Sequence, residues 1–186
     1  MRVAFLAPEG TFTWETSQIV ARARGWADDA EFVAYPTGEA VVDAVDRGEA
    51  GYGVAAVATS LAGERGLIRE TVKKAKHVKI VDEYQRVCHY ALMARTGQEL
   101  ANVRSVHTVQ KAIDDCAGWL REHLPGAELT PTPSTGAGAA YVAASHDESA
   151  AIAPPAAASR HGLQTLAENI EDDPNNWTRW LILQHG

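Results

Sequence analysis

Short polar motifs at the ends of apolar runs are where this chain offers chemistry. Thr59-Ser60 follows the apolar run Tyr52 to Val57, and two hydroxyls at a strand end suit hydrogen bonding to a carboxylate. Thr11-Phe12 follows a strand-to-helix turn, where backbone N–H groups suit an anion; Thr11 reads equally well as a plain cap of the next helix. Thr178-Arg179 precedes the apolar run Trp180 to Leu183. A threonine there also fits simple strand propensity. Arg179 suits bidentate carboxylate binding, or an ion pair with the run Glu171-Asp172-Asp173. His89, in Cys88-His89-Tyr90, suits proton donation, or packing as a core histidine on an apolar strand.

The elements that must position these groups alternate in kind. Arg2 to Ala7 is an apolar strand stopped by Pro8 and Gly10, and Thr13 to Arg24 has helical spacing of Trp14, Ile19, Val20 and Ala23. Glu31 to Tyr35 is a strand. Thr37 reads as the N-cap of a helix whose apolar face is Ala40, Val41, Ala44 and Val45. The wholly apolar strand Tyr52 to Val57 suits burial on both faces of a parallel sheet. Further on, Arg65 to Lys76 and Val109 to His123 read as helices. Val78–Val81, Val87–Ala94, Val103–Val106, Ala127–Leu129, Ala150–Ala153 and Trp180–Leu183 read as strands. The small-residue stretches Ser134 to Ala140 and Ala151 to Ser159 read as tight packing against backbone or ligand. Short strands between helices imply an α/β fold.

Composition narrows the function classes. The 186 residues are 46% hydrophobic, which is incompatible with wholesale disorder. A net charge of −7 without a basic cluster argues against nucleic acid and anionic membrane surfaces as partners. Two cysteines, Cys88 and Cys116, form neither a disulfide framework nor a metal-ligand spacing, and Cys116 lies on the apolar side of its helix. No apolar run approaches the ~20 residues of a membrane span. No signal peptide is evident, so a cytoplasmic setting is expected.

Four segments carry a family resemblance. They are Leu6-Ala7-Pro8-Glu9-Gly10-Thr11-Phe12; Gly48 to Val54 with Thr59-Ser60-Leu61; Leu166-Ala167-Glu168-Asn169-Ile170-Glu171-Asp172-Asp173-Pro174-Asn175-Asn176; and Thr178-Arg179-Trp180. In this order and over almost the whole chain they resemble the prephenate dehydratases. The resemblance implies a two-lobed α/β fold like type II periplasmic binding proteins, with the active site in the inter-lobe cleft. It places about 1–79 and 162–186 in one lobe and about 80–161 in the other. It also implies a homodimer, no cofactor or metal, prephenate as the small-molecule substrate, and Thr178 acting at the ring hydroxyl. The family usually carries a phenylalanine-binding regulatory domain after the Thr-Arg-Phe strand, and none is expected in 186 residues.

Polar positions depart from the pattern. Where dehydratases have Pro-Ile-Glu-Asn-Ser, this chain has Ala56-Val57-Ala58-Thr59-Ser60, losing a carboxyl and an amide together. Glu-Gly-Ser-Val-Asn-Glu-Thr becomes Arg65-Gly66-Leu67-Ile68-Arg69-Glu70-Thr71, and Ser-His-Pro-Gln-Ala-Leu becomes Thr108-Val109-Gln110-Lys111-Ala112-Ile113. Arg69 and Lys111 thus bring cations suited to a dianion, although each also reads as a solvated helix-face charge. These changes are similar to those expected of the prephenate decarboxylases of bacilysin-type antibiotic pathways, which release carbon dioxide without aromatising the ring. The expectation is a carbon–carbon lyase, with Thr178 and His89 catalytic and Thr11, Phe12, Thr59, Ser60, Arg69, Lys111 and Arg179 binding substrate. A dehydratase is the alternative, and a small-molecule sensing module of the same architecture is a third class.

Overall fold

Strands and helices alternate along the chain, as the periodicity requires. The computed structural model describes residues 1–26, 29–60, 62–64 and 66–186; Leu61 and Arg65 of the motifs above lie outside the described residues. In chain order the first elements are β1 (Arg2–Leu6), α1 (Phe12–Ala23), β2 (Glu31–Tyr35), α2 (Gly38–Asp46), β3 (Tyr52–Thr59), β4 (Gly63–Glu64), α3 (Gly66–Lys74) and β5 (Val78–Val87). There follow β6 (Ala91–Arg95), β7 (Ser105–Thr108), α4 (Gln110–Asp115), α5 (Ala117–His123), β8 (Glu128–Pro131), α6 (Thr135–Ala144), β9 (Ser149–Ala153), α7 (Ala156–His161), β10 (Leu163–Glu168) and β11 (Trp177–His185). Two units result: Met1–Pro8, Phe12–Val87 and Asn175–Gly186 form the first, Glu9–Thr11 and Cys88–Pro174 the second. The expected lobe changes near 79/80 and 161/162 thus compare with changes at Val87/Cys88 and Pro174/Asn175.

The first unit is built on a sheet of order β2-β1-β3-β11-β5, with β4 beside β3. β1 runs parallel to β2 and β3, whereas β11 runs antiparallel to both β3 and β5. One sheet face is closed by α2 and α3. There Val41, Val42, Val45, Ile68 and Val72 pack on Ala55, Val57, Leu181 and Leu183. Thr37 caps α2 as expected, its hydroxyl accepting from the Ala40 N–H at 3.1 Å. The α1 face differs from the expected one: Ala23 is exposed and Ile19 half-buried, while Thr13, Thr16 and Ser17 are buried beside Trp14, Val20 and Ala21. Hydrogen bonds make that burial tolerable. Ser17 donates to the Thr13 carbonyl at 2.7 Å, and Thr13 accepts from the indole N–H of the fully buried Trp180 at 3.1 Å.

The second unit's sheet runs β10-β6-β9-β7-β8. Its core is largely alanine: Ala91, Ala139, Ala151, Ala153 and Ala157 pack with Met93 and Val142. Small residues let α6 approach β7 so closely that a Cβ on Gly138 would stand 2.4 Å from the His107 carbonyl oxygen. Here the Ser134 to Ala140 stretch proves helical from Thr135, with Ser134 as its N-cap.

Two further elements differ from expectation, and a third, β10, is absent from the expected strands. Val78 to Val87 is one ten-residue strand, because β11 supplies a ladder to the charged stretch Asp82 to Arg86. The helix over Val109 to His123 is two helices, interrupted at Cys116 (φ −112°, ψ 13°). β10 is a strand despite helix-favouring residues, since β6 provides its antiparallel partner.

Candidate functional site

In the first unit one row of polar side chains crosses three strands. Thr178 on β11 stands opposite Thr59 on β3 and opposite Arg86 on β5. Residues directly opposite in antiparallel strands share a face, so the two hydroxyls and the guanidinium project together. A register shift between Arg179 and Trp180 against β3 pairs Thr59 rather than Ala58 with Thr178. A bulge that re-aims a side chain in this way is a common device at the ends of functional sheets. The Thr59 hydroxyl also accepts from the Ala62 N–H at 3.1 Å.

Arg86 is a member of this row with no counterpart among the residues expected from the sequence. Its Nε donates to the Thr16 hydroxyl at 3.0 Å, and its Nη2 pairs with Glu15. The guanidinium carbon lies 5.6 Å from the centroid of the Phe12 ring and 5.7 Å from that of Trp180, within cation–π range. Phe12 therefore serves as the aromatic backing of Arg86. With both ion-pair partners under a fifth exposed, this cation is well shielded from water. No local sequence signal marks it: Asp82 to Arg86 is a charged stretch that does not read as strand, and only the ladder with β11 sets Arg86 opposite Thr178.

Arg179, next to Thr178 on the same strand, points to the opposite face. There its Nε donates to Gln85 Oε1 at 3.1 Å and its Nη1 lies 4.0 Å from Glu83. Arg69 shares this face. It donates to Glu83 at 2.8 Å and pairs with Glu64, contacts that hold its guanidinium above the ordinary arginine value, Glu83 contributing most. The structure thus gathers Arg179 and Arg69 around carboxylates, on the face away from Thr178 and Thr59. Ser60 ends the row's ladder: its N–H donates to the Trp177 carbonyl at 2.9 Å, and its hydroxyl accepts from the Trp177 N–H at 3.3 Å.

The second unit holds Thr11, His89 and Lys111. Thr11 directly precedes α1. His89 lies between β5 and β6, not on an apolar strand, and its side chain is 46% exposed, so it is not a core histidine. Its Nδ1 meets Glu171 Oε1 at 2.5 Å. Lys111 pairs with Asp115, a carboxylate only 4% exposed. The Tyr90 hydroxyl also bonds Asp115, and burial together with that carboxylate raises the phenol's pKa. Burial first, then Asp115, Glu171 and Asp172, push the Cys116 thiol up, so it behaves as an inert core group, as expected. Asp172 accepts from the Gly118 and Trp119 N–H groups at 2.8 and 3.1 Å, completing the first turn of α5.

Among the described residues no three His, Cys, Asp or Glu side chains converge in a metal-binding group. Nor is any described helix long and apolar enough to cross a membrane.

Two α/β units on mixed sheets, with polar groups at strand ends, define the class: the two-sheet architecture of the type II periplasmic binding protein kind, shared by solved prephenate dehydratases. The family model described as prephenate dehydratase matches residues 3–186, and the chain belongs to that family. It is 32% identical over its whole length to a bifunctional chorismate mutase/prephenate dehydratase of Neisseria gonorrhoeae, of which it covers 50%. The structure of a prephenate dehydratase from Arthrobacter aurescens in complex with L-Phe superposes with a TM-score of 0.85 at 29% identity, covering 100% of this chain and 61% of that one. A structure described as GqqA, a novel type of quorum quenching acylase, gives 0.84 at 26% identity, covering 100% and 64%. The chain therefore spans about half to two thirds of the length of these relatives.

Proposed function

We propose that this chain is a lyase acting on prephenate, and that it dehydrates and decarboxylates it to phenylpyruvate. The observation that carries this reading is the row Thr59–Thr178–Arg86, in which the family's threonine keeps a second hydroxyl and a shielded cation beside it. The ring carboxylate's C–C bond breaks, its electron pair enters the ring, and the opposite C–O bond breaks as a proton reaches the departing oxygen. Thr178 holds that hydroxyl by hydrogen bond, and His89 is the proposed proton donor. The relatives' names favour the dehydratase over the decarboxylase expected from the sequence. One ground for the decarboxylase also weakens, because Arg69 and Lys111 are already neutralised by Glu64, Glu83 and Asp115. The proposal includes a cofactor-free reaction, a homodimer and a cytoplasmic setting.

One observation favours the second reading, non-aromatising decarboxylation to a dihydro-4-hydroxyphenylpyruvate in specialised metabolism. Ala58, 4% exposed, and Thr59 stand where the family has a carboxyl and an amide, which removes a candidate acid from this strand end. Both routes release carbon dioxide, so gas evolution cannot separate them. The test is incubation with prephenate at neutral pH, followed by proton NMR. Aromatic ring resonances of phenylpyruvate support dehydration; olefinic resonances with a retained carbinol proton replace it by decarboxylation; binding without turnover points to a sensor.

A further inference from the structure

We infer that Glu171 is a positioning residue that fixes the tautomer and orientation of His89; this rests on the proposed role of His89 as proton donor. The Glu171 side chain is 2% exposed. An ionised carboxylate buried so deeply must be hydrogen-bonded to be tolerated. It has two partners at adjacent positions of one segment: the Tyr90 N–H donates to Oε2 at 2.8 Å, and the His89 Nδ1 lies 2.5 Å from Oε1.

A carboxylate can only accept, so the proton at this contact sits on Nδ1. The other ring nitrogen, Nε2, is then the one that takes up or gives a proton. Because nearly half of the His89 side chain is exposed while its partner is buried, the imidazole is anchored at one edge and presented at the other.

The backbone around Glu171 is pinned on both sides. Asn169 adopts φ 54°, a left-handed conformation that asparagine tolerates better than most residues. The next residue, Ile170, is 1% exposed, and its N–H donates to the Tyr90 carbonyl at 3.2 Å. On the far side the Asp172 N–H donates to the Asp115 carbonyl at 2.7 Å, while its carboxylate holds the start of α5. Residues 170–172 therefore have little freedom, and the anchor for His89 is rigid. Asp172 serves the fold, whereas the Oε1 of Glu171 faces a side chain that has no structural need of it.

The experiment uses the full chain and the variants Glu171→Gln, His89→Gln and their combination. The glutamine keeps the shape and can still accept from the Tyr90 N–H, so folding is preserved. In nitrogen-15 correlation spectra the wild-type His89 ring is expected to show Nδ1 protonated and Nε2 bare in its neutral form, a pattern that becomes a tautomer mixture in Glu171→Gln. With prephenate, Glu171→Gln is expected to lower kcat about ten-fold or more with KM changed less than about two-fold, and to add no further loss in the His89→Gln background. An unchanged tautomer pattern in Glu171→Gln, or equal losses of kcat in both backgrounds, overturns the inference. Absence of prephenate turnover by the wild-type chain defeats the proposed function instead, and the spectra then decide the role of Glu171 alone.

Discussion

The carboxylates around Arg69 and Arg179 in the first unit stand partly open to water, whereas those that hold His89 and Lys111 in the second are buried. Arg69, Glu64, Glu83 and Arg179 are all between a quarter and a half exposed, and Arg69, Glu83 and Arg179 each have more than one partner. Glu171 and Asp115 of the second unit are 2% and 4% exposed, and each depends on a few defined donors. The cores differ in the same sense: large side chains such as Trp180, Phe5 and Leu181 fill the first, while alanines and a glycine bring backbones together in the second. Exposed ion pairs are cheap to lose, and buried carboxylates are not. Orientation-critical chemistry is therefore better anchored in the second unit. The first unit supplies a row of groups set by strand register.

The largest expected effect strikes the core of the first unit. Trp180→Ala should cost about 3–5 kcal/mol, since it empties a fully buried indole site and leaves Thr13 without its donor. Urea unfolding monitored by circular dichroism measures this, and a loss below 1 kcal/mol would contradict the packing described. The counterpart in the second unit is Gly138→Ala. With only 2.4 Å to the His107 carbonyl, the added methyl must push α6 from β7, at about 1–3 kcal/mol by the same assay. A neutral outcome there would mean that the close approach is not a constraint.

Next in size is Thr178→Ala. If its hydroxyl positions substrate, turnover of prephenate should fall at least ten-fold, about 1.4 kcal/mol, with the melting temperature little changed. Wild-type rates would remove Thr178 from the reaction. Arg69→Gln should do less, because Glu83 and Glu64 already occupy that guanidinium and the cluster is partly exposed: under about 1 kcal/mol in stability. A ten-fold rise in KM for prephenate would instead restore Arg69 as a substrate-binding group.

The smallest effect concerns pH and again separates the units. Burial lowers the pKa of His107 and of His161, both in the second unit, from the ordinary 6.5. For a base whose folded pKa is depressed, the unfolded chain binds more protons as pH falls below 6.5, so stability drops there and levels off below the folded pKa. Melting temperatures at pH 5.5 should lie below those at pH 7.5, and His107→Gln should flatten part of that slope. A slope unaltered in His107→Gln would remove His107 from the titration.

Much of this architecture could be read from residue order. The apolar run of β3, the Thr37 cap and the alternation of short strands with helices are local patterns with local causes. β10 and the middle of β5 escaped because their residues favour helix or solvent and only neighbouring strands make them strands. Of the candidate groups, Thr178, Thr59 and Phe12 could be named in advance, since they sit in specific motifs. Arg86 could not, because its meaning comes from standing opposite Thr178 across a ladder.

By itself, then, the sequence determined the α/β class, the family and the identity of most polar groups, because periodicity and motif spacing are properties of neighbouring residues. Tertiary structure alone decided which of those groups face together. Strand register set Thr178 with Thr59 and Arg86 and turned Arg179 away, and a buried carboxylate 82 residues distant took hold of His89. Those choices depend on hydrogen-bonded pairing between remote segments, and no local pattern encodes them.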